Sequence, residues 1–124
     1  MHGQNFSHTI AALFAIRDKA HALHLKTKSF AQHVALGEFY EKLVDLTDDL
    51  AETHMGKYGI DTSDAQAPAG FDGGADAKEF IKRVTEWMQQ EKQKLSPEDS
   101  FLVNIWDEIT ALAFRTRYKL ENLS

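Results

Sequence analysis

Four successive segments of this chain carry apolar residues at helical spacing, and this periodicity constrains the fold more than any other feature. The first segment covers about residues 5–26 and the second about residues 30–55. A third begins at Asp76 or Gly74, and a fourth follows Ser96 and Pro97, which together form a strong helix-start signal. No segment alternates apolar and polar residues as a half-buried strand does. The sequence therefore predicts an all-α protein with four helices.

The connections between these segments differ greatly in length. Thr27, Lys28 and Ser29 join the first two, with Ser29 as the expected N-cap of the second helix. Residues 57–75, KYGIDTSDAQAPAGFDGGA, contain Pro68 and several glycines and have no helical periodicity. A link of this length allows a crossover along a bundle between helices 2 and 3. At 124 residues we expect one domain, covering residues 1–124.

The second segment has two distinct sides when its residues are placed on a helix at about 100° per residue. With Leu36 at zero, His33 lies at about 60°, Asp48 at about 120° and Glu52 at about 160°. These three residues therefore lie at or beyond the border of the face that we expect to be buried. That face consists of Leu36, Phe39, Tyr40, Leu43, Leu46, Thr47 and Leu50.

The outer flank of this helix mixes apolar and charged residues. Phe30 and Val34 share it with Asp48 and Glu52, a combination that predicts a subunit contact rather than a plain solvated face. Gly37, in the helix interior, costs about 0.5–1 kcal/mol relative to alanine. It either permits a close approach or is neutral.

His24, His33, Asp48 and Glu52 are the candidate metal ligands. The chain has no cysteine, so any metal site must use histidine, carboxylate or water. Iron and zinc accept imidazole nitrogen together with carboxylate oxygen. The alternative for the acidic residues is a solvated helix face, and the alternative for each histidine is an ordinary surface or core position.

The stretch from His24 to Glu52 resembles the metal-binding core of the Dps proteins, the miniferritins of the ferritin-like superfamily. In that family a histidine near the end of the first helix and another at the start of the second precede a D-x-x-A-E motif. Here His33 is followed fifteen residues later by Asp48-Asp49-Leu50-Ala51-Glu52. The resemblance is specific over this stretch and architectural elsewhere, and it implies a ferritin-like four-helix bundle.

The resemblance also implies a ferroxidase site across a homodimer interface, within a dimer or a larger closed shell. His24 and His33 of one subunit would bind iron with Asp48 and Glu52 of the other, and Fe(II) would be oxidised by peroxide or oxygen. The spacing from His24 to His33 is shorter than is usual in the family, so His21, one turn earlier, is an alternative first ligand. Zinc in place of iron, or a non-catalytic helical binding or assembly protein, are the alternative functions.

Charge and hydropathy limit the other classes of function. The net charge of −5 argues against sequence-independent nucleic-acid binding, which needs a basic surface. No apolar run approaches the roughly 20 residues of a membrane-spanning helix. The first residues, MHGQNFSH, lack the charged-then-apolar pattern of a signal peptide. We therefore expect a cytoplasmic protein without membrane or nucleic-acid partners.

Overall fold

A computed structural model describes residues 4–60 and 76–123, which form four helices and no strand. Helix α1 spans Gln4–Lys26, α2 spans Phe30–Tyr58, α3 spans Ala77–Lys92 and α4 spans Ser100–Asn122. The predicted all-α class and the four helices are confirmed for this part of the chain.

The helix directions follow from contacts between side chains of different helices. Lys119, near the end of α4, pairs with Glu38, near the start of α2, so these two helices are antiparallel. Thr9, near the start of α1, donates to Glu91 at the end of α3, so that pair is antiparallel as well. Helices α1 and α2 form a hairpin, and α3 and α4 form a second. It follows that α2 and α3 run in the same direction.

The bundle therefore has two different ends. One end, which contains the short α1–α2 link and is called the hairpin end, holds the end of α1, the start of α2, the start of α3 and the end of α4. The far end holds the start of α1, the end of α2, the end of α3 and the start of α4. The predicted crossover between α2 and α3 falls mainly on residues 61–75, outside the described residues.

The core is built from the apolar faces of all four helices. On α2 five residues of the expected face are buried, namely Leu36, Phe39, Leu43, Thr47 and Leu50. The other two, Tyr40 and Leu46, are partly buried against the core. The largest buried side chain is Trp106 of α4, whose indole N–H donates to the Met88 carbonyl at 2.9 Å. Burial of a single large apolar side chain stabilises the fold by about 1.5–3 kcal/mol.

Capping residues explain where the helices begin and end. The Ser29 hydroxyl accepts the backbone N–H of Gln32 and caps α2 as predicted, and Asp76 caps α3 through Glu79. Helix α2 continues three residues beyond the predicted end at Met55. It ends before Gly59, whose φ of 91° is the left-handed conformation that glycine tolerates.

The predicted start of α4 at Ser96 and Pro97 is wrong. Helix α3 ends at Lys92, and the segment after it, including the buried Leu95, forms separate turns before α4 begins at Ser100 with Asp99 as N-cap. The Ser96 hydroxyl accepts the N–H of Glu98 and so closes a local turn instead. Serine, proline and acidic residues favour such a turn as strongly as a helix start.

Within residues 4–60 and 76–123, no helix combines the length and apolar character that a bilayer span requires.

Candidate functional site: the histidine pair and the acidic flank

A tight three-residue link holds the end of α1 against the start of α2. The Thr27 hydroxyl donates to the Gln32 side-chain carbonyl at 2.7 Å and accepts the backbone N–H of Ser29 at 3.2 Å. The Ser29 side chain then caps α2. These local bonds fix the chain reversal and bring His24 of α1 next to His33 of α2.

His24 and His33 are joined by two reciprocal hydrogen bonds. The His24 Nδ1 lies 2.6 Å from the His33 carbonyl oxygen, and the His33 Nδ1 lies 2.9 Å from the His24 carbonyl oxygen. A carbonyl can only accept, so each Nδ1 carries a proton, and in the uncharged form of either ring the lone pair is on Nε2. The two rings stack with centroids 3.7 Å apart and planes 19° from parallel.

The same contacts have a structural role. His24 is among the last four residues of α1, whose carbonyls lack partners within the helix. The His33 ring supplies a donor to one of these carbonyls and so caps α1 from the neighbouring helix. In metal sites, an imidazole whose Nδ1–H is held by a carbonyl is an oriented ligand with Nε2 directed to the metal.

Tyr40 of α2 packs against two histidines of α1, His21 and His24. Tyr40 stacks on His21 with ring centroids 4.3 Å apart and meets the His24 ring edge-on at 5.4 Å. The Arg17 guanidinium lies 5.2 Å from the Tyr40 ring centroid. His21 is therefore packed against Tyr40, and its ring centroid is 6.2 Å from that of His24. The histidine that contacts His33 is His24.

Asp48 and Glu52 lie elsewhere on α2. Both are exposed, one turn apart, and neither forms an ion pair with another described residue. Fifteen residues of helix separate His33 from Asp48, which corresponds to about 22 Å. One chain therefore brings the two histidines together and leaves the two acids a separate pair. Accordingly, the described residues of a single chain contain no group of three or more histidines and acids that could hold a metal ion.

At the far end, Asp99 forms a charged cluster with Lys57 and Tyr58 that was not predicted from the sequence. The Asp99 side chain is almost fully buried and accepts from the Lys57 ammonium and from the Tyr58 hydroxyl. The Lys57 ammonium, followed by the Tyr58 hydroxyl, lowers the pKa of Asp99. The bond to Asp99 in turn raises the pKa of Lys57 and of Tyr58. Position 99 was recognisable as a helix-start residue, but a partner 42 positions away gave no local signal.

Two more polar residues of the far end are buried. Glu91 of α3 accepts from the Thr9 hydroxyl at 2.9 Å and pairs with Lys94 at 3.2 Å. His54 of α2 stacks on Phe6 with ring centroids 3.7 Å apart. Helical spacing could have identified His54 as buried, because it lies four residues after Leu50 on the core face.

An apolar groove borders the hairpin end between α2 and α4. Its volume is about 320 Å³, and it is lined by Phe30, Ala31, Val34, Ala35, Glu38, Lys119 and Leu123. Phe30 is 79% exposed, which confirms that the outer flank of α2 carries an apolar side chain at its start. The Glu38 carboxylate at the rim has its pKa lowered by the hydrogen bond from Lys119.

A family model matches most of this chain. No curated protein and no solved structure matches the chain significantly. A model of the family of unknown function DUF5856 matches residues 24–120, a range that begins at His24 and includes all four candidate ligands. Since this match covers most of the chain, the protein belongs to the DUF5856 family.

Proposed function

We propose that two copies of this chain form a Dps-type iron site, in which His24 and His33 of one copy face Asp48 and Glu52 of the other. The observation that carries the proposal is the His24–His33 pair, whose two Nδ1–H groups are held by carbonyls. Two imidazoles in that tautomer present Nε2 as the ligand atom. Because the stacked rings lie nearly parallel, each Nε2 would meet its own iron ion, and together they supply the nitrogen half of a mixed nitrogen and oxygen site.

The acidic half of the set must come from a second copy. Asp48 and Glu52 are exposed and free of ion pairs within the described residues, so their oxygens are available to a cation. Because about 22 Å of helix separates them from His33, they cannot reach the histidines of their own chain. Two antiparallel α2 helices related by a two-fold axis would bring each histidine pair to the partner's acids, at two equivalent sites.

Helix geometry locates this axis. His33 faces the partner's Asp48 and Glu52 only if the two-fold axis passes beside α2 near Glu41, which lies midway along the helix between His33 and the two acids. Phe14 lies two turns before His21 on the same side of α1, and since His21 stacks on Tyr40, Phe14 lies near the level of Thr47, within one turn of Val44. It is 43% exposed, although it is a large apolar residue in the middle of a helix. We expect Phe14 and Val44 to be covered in the dimer.

The ferritin-like crossover belongs to the same proposal. Because α2 and α3 run in the same direction, the chain must travel from the far end back to the hairpin end between them. That requirement supports a crossover along the bundle, as in ferritin-like folds. Up-and-down bundles with short loops would make α2 and α3 antiparallel.

Fe(II) is the substrate of the proposed reaction. Imidazole nitrogen and carboxylate oxygen bind Fe(II), and carboxylates favour the harder Fe(III) product. Peroxide or oxygen would accept the electrons, as in the Dps family. Storage of the oxidised iron would require a closed shell of subunits. We expect the protein to act in the cytoplasm.

The competing function is a non-catalytic helical protein, and the reciprocal bonds favour it too, since they cap α1 without any metal. Three measurements separate the two: anaerobic titration with Fe(II) and with zinc, uptake of oxygen or peroxide by the iron-loaded protein, and mass measurement by light scattering. We expect a dimer or larger assembly that binds Fe(II) and consumes peroxide or oxygen. Binding of zinc alone would indicate a structural metal site. A monomer that binds neither ion would contradict the proposal.

A further inference from the structure

The ring of His24 lies directly against the backbone of Gly37. A Cβ atom added at Gly37 would come 3.1 Å from the ring Cε1 and 3.2 Å from Nδ1. Such distances are shorter than ordinary carbon contacts of about 3.5–4.0 Å. A side chain at position 37 therefore fits only if the His24 ring moves.

The ring has little freedom to move. Its Nδ1 is held at 2.6 Å from the His33 carbonyl, its face stacks on His33 and its edge meets Tyr40. Any shift that relieves a Cβ at position 37 must lengthen the hydrogen bond or separate the stacked rings. Gly37 is thus the residue whose missing side chain admits the His24 ring to this position.

We propose that Gly37 is a positioning residue that fixes the tautomer and direction of His24 for a divalent cation. The contacts above support the position of the ring, whereas the binding of a cation there rests on the proposed function. Glycine is otherwise unfavourable inside a helix. Its presence between His33 and Tyr40 is explained by the space that the ring occupies.

The chain offers a matched control in the same helix. Gly56 also lies in α2, and a Cβ added there meets nothing within 4 Å. Both Gly37→Ala and Gly56→Ala should gain helix propensity, the second less because it lies in the last turn of α2, and only the first should disturb His24. We expect Gly56→Ala to raise Tm and Gly37→Ala to lower it relative to that control.

The metal-free protein gives the decisive readout. We expect ¹⁵N NMR of the histidine rings to give protonated Nδ1 signals for His24 and His33 in the wild type and in Gly56→Ala. In Gly37→Ala the His24 Nδ1 signal should shift, and cross-relaxation between the two rings should weaken. Unmoved His24 signals, together with a Tm equal to that of Gly56→Ala, would overturn the inference.

A double variant covers the case in which Gly37→Ala fails to fold. His24→Ala removes the ring, so adding Gly37→Ala to it should raise Tm as Gly56→Ala does. If Gly37→Ala lowers the Tm of His24→Ala as much as it lowers the Tm of the wild type, the ring is not the cause and the inference fails.

Metal affinity is measured separately. In Gly37→Ala we expect Fe(II) affinity to fall by roughly 10–100-fold, the usual cost of losing a group that orients a metal ligand. If the wild type binds no metal while the NMR shift and the double variant behave as expected, the proposed function fails and the positioning role stands. A shifted His24 with unchanged Fe(II) affinity would refute the link to the cation.

Discussion

The two ends of the bundle use polar side chains in opposite ways. At the far end the Asp99 carboxylate is buried, and its oxygens accept from Lys57 and Tyr58 of the same chain. At the hairpin end His24 and His33 are partly or largely exposed, and among residues 4–60 and 76–123 the recorded hydrogen bonds of each ring use only Nδ1.

This difference separates structural polar groups from candidate ligands. A carboxylate whose acceptors are taken within the chain has little left to offer a cation, and breaking its bonds costs stability. An imidazole held through Nδ1 gains an orientation and keeps Nε2 for another partner. Changes at the far end should therefore alter stability, whereas changes to the proposed ligands should alter binding.

The largest effect should come from removing the acidic ligands. Asp48→Asn with Glu52→Gln should lower Fe(II) affinity by more than the roughly 10–100-fold cost of losing an orienting group. Folding should be unaffected, because both side chains are exposed. Anaerobic calorimetric titration measures the affinity.

Asp45→Asn with Asp49→Asn is the matched control, because it removes the same charge from two exposed residues one turn apart on a neighbouring face. Equal losses of affinity in the two double variants would mean that general acidity, rather than Asp48 and Glu52, attracts the cation.

The next effect concerns apolar packing at the far end. Phe6 is 3% exposed and stacks on His54. Phe6→Ala should lower the free energy of unfolding by about 3–5 kcal/mol, the usual cost of truncating a buried phenylalanine. Urea denaturation measures this loss, and Fe(II) affinity per folded chain should stay unchanged. A weakened iron site in folded Phe6→Ala protein would mean that the two ends are coupled.

The charged cluster at the far end should make stability depend on pH. The pKa of Asp99 is lowered from 3.8, so its contribution is complete above that value and is lost as pH falls through the lowered pKa. The pKa of Lys57 is raised from 10.5, so its contribution is complete below that value and is lost as pH rises through the raised pKa. Wild type should exceed Asp99→Asn in stability at neutral pH.

Urea denaturation of the two proteins across the pH range tests this expectation. The difference between them should shrink in strong acid and again in strong alkali. A difference that is independent of pH would show that Asp99 acts through its shape and not through its charge.

The smallest effect should come from the helix cap beside the histidine pair. Ser29→Ala removes the acceptor of the Gln32 N–H and should cost about 1 kcal/mol. Asp76→Ala, which removes the corresponding cap of α3, should cost a similar amount. Thermal unfolding of both variants measures these costs. A much larger loss in Ser29→Ala would show that the cap also holds the histidine pair together.

Local patterns were sufficient to predict most of the helical architecture. Apolar spacing gave the buried face of α2, and Ser29 gave its start, because both depend on residues within a few positions of each other. The start of α4 was predicted too early, since a Ser-Pro-acid sequence closes a turn as readily as it opens a helix. Tertiary packing decides between these outcomes, and the sequence does not display it.

The sequence was sufficient to identify the candidate metal ligands but not the contacts that they make. His24 and His33 stood out by type and spacing, but their reciprocal bonds depend on ring positions that Gly37 and Tyr40 permit. The bonds to Asp99 join residues about 40 positions apart, beyond any periodic pattern. The meeting of the histidine pair with Asp48 and Glu52 stays a prediction, because it requires a second copy.

Subunit complementation tests that meeting most directly. A chain carrying His24→Ala and His33→Ala is refolded together with a chain carrying Asp48→Asn and Glu52→Gln, and Fe(II) binding is titrated. Each variant alone should bind no Fe(II). Random pairing of the two should restore about one quarter of the wild-type sites, because half of the dimers are mixed and each has one intact site. If the mixture binds no more Fe(II) than the separate variants, the histidine pair and the two acids do not form one iron site across an interface.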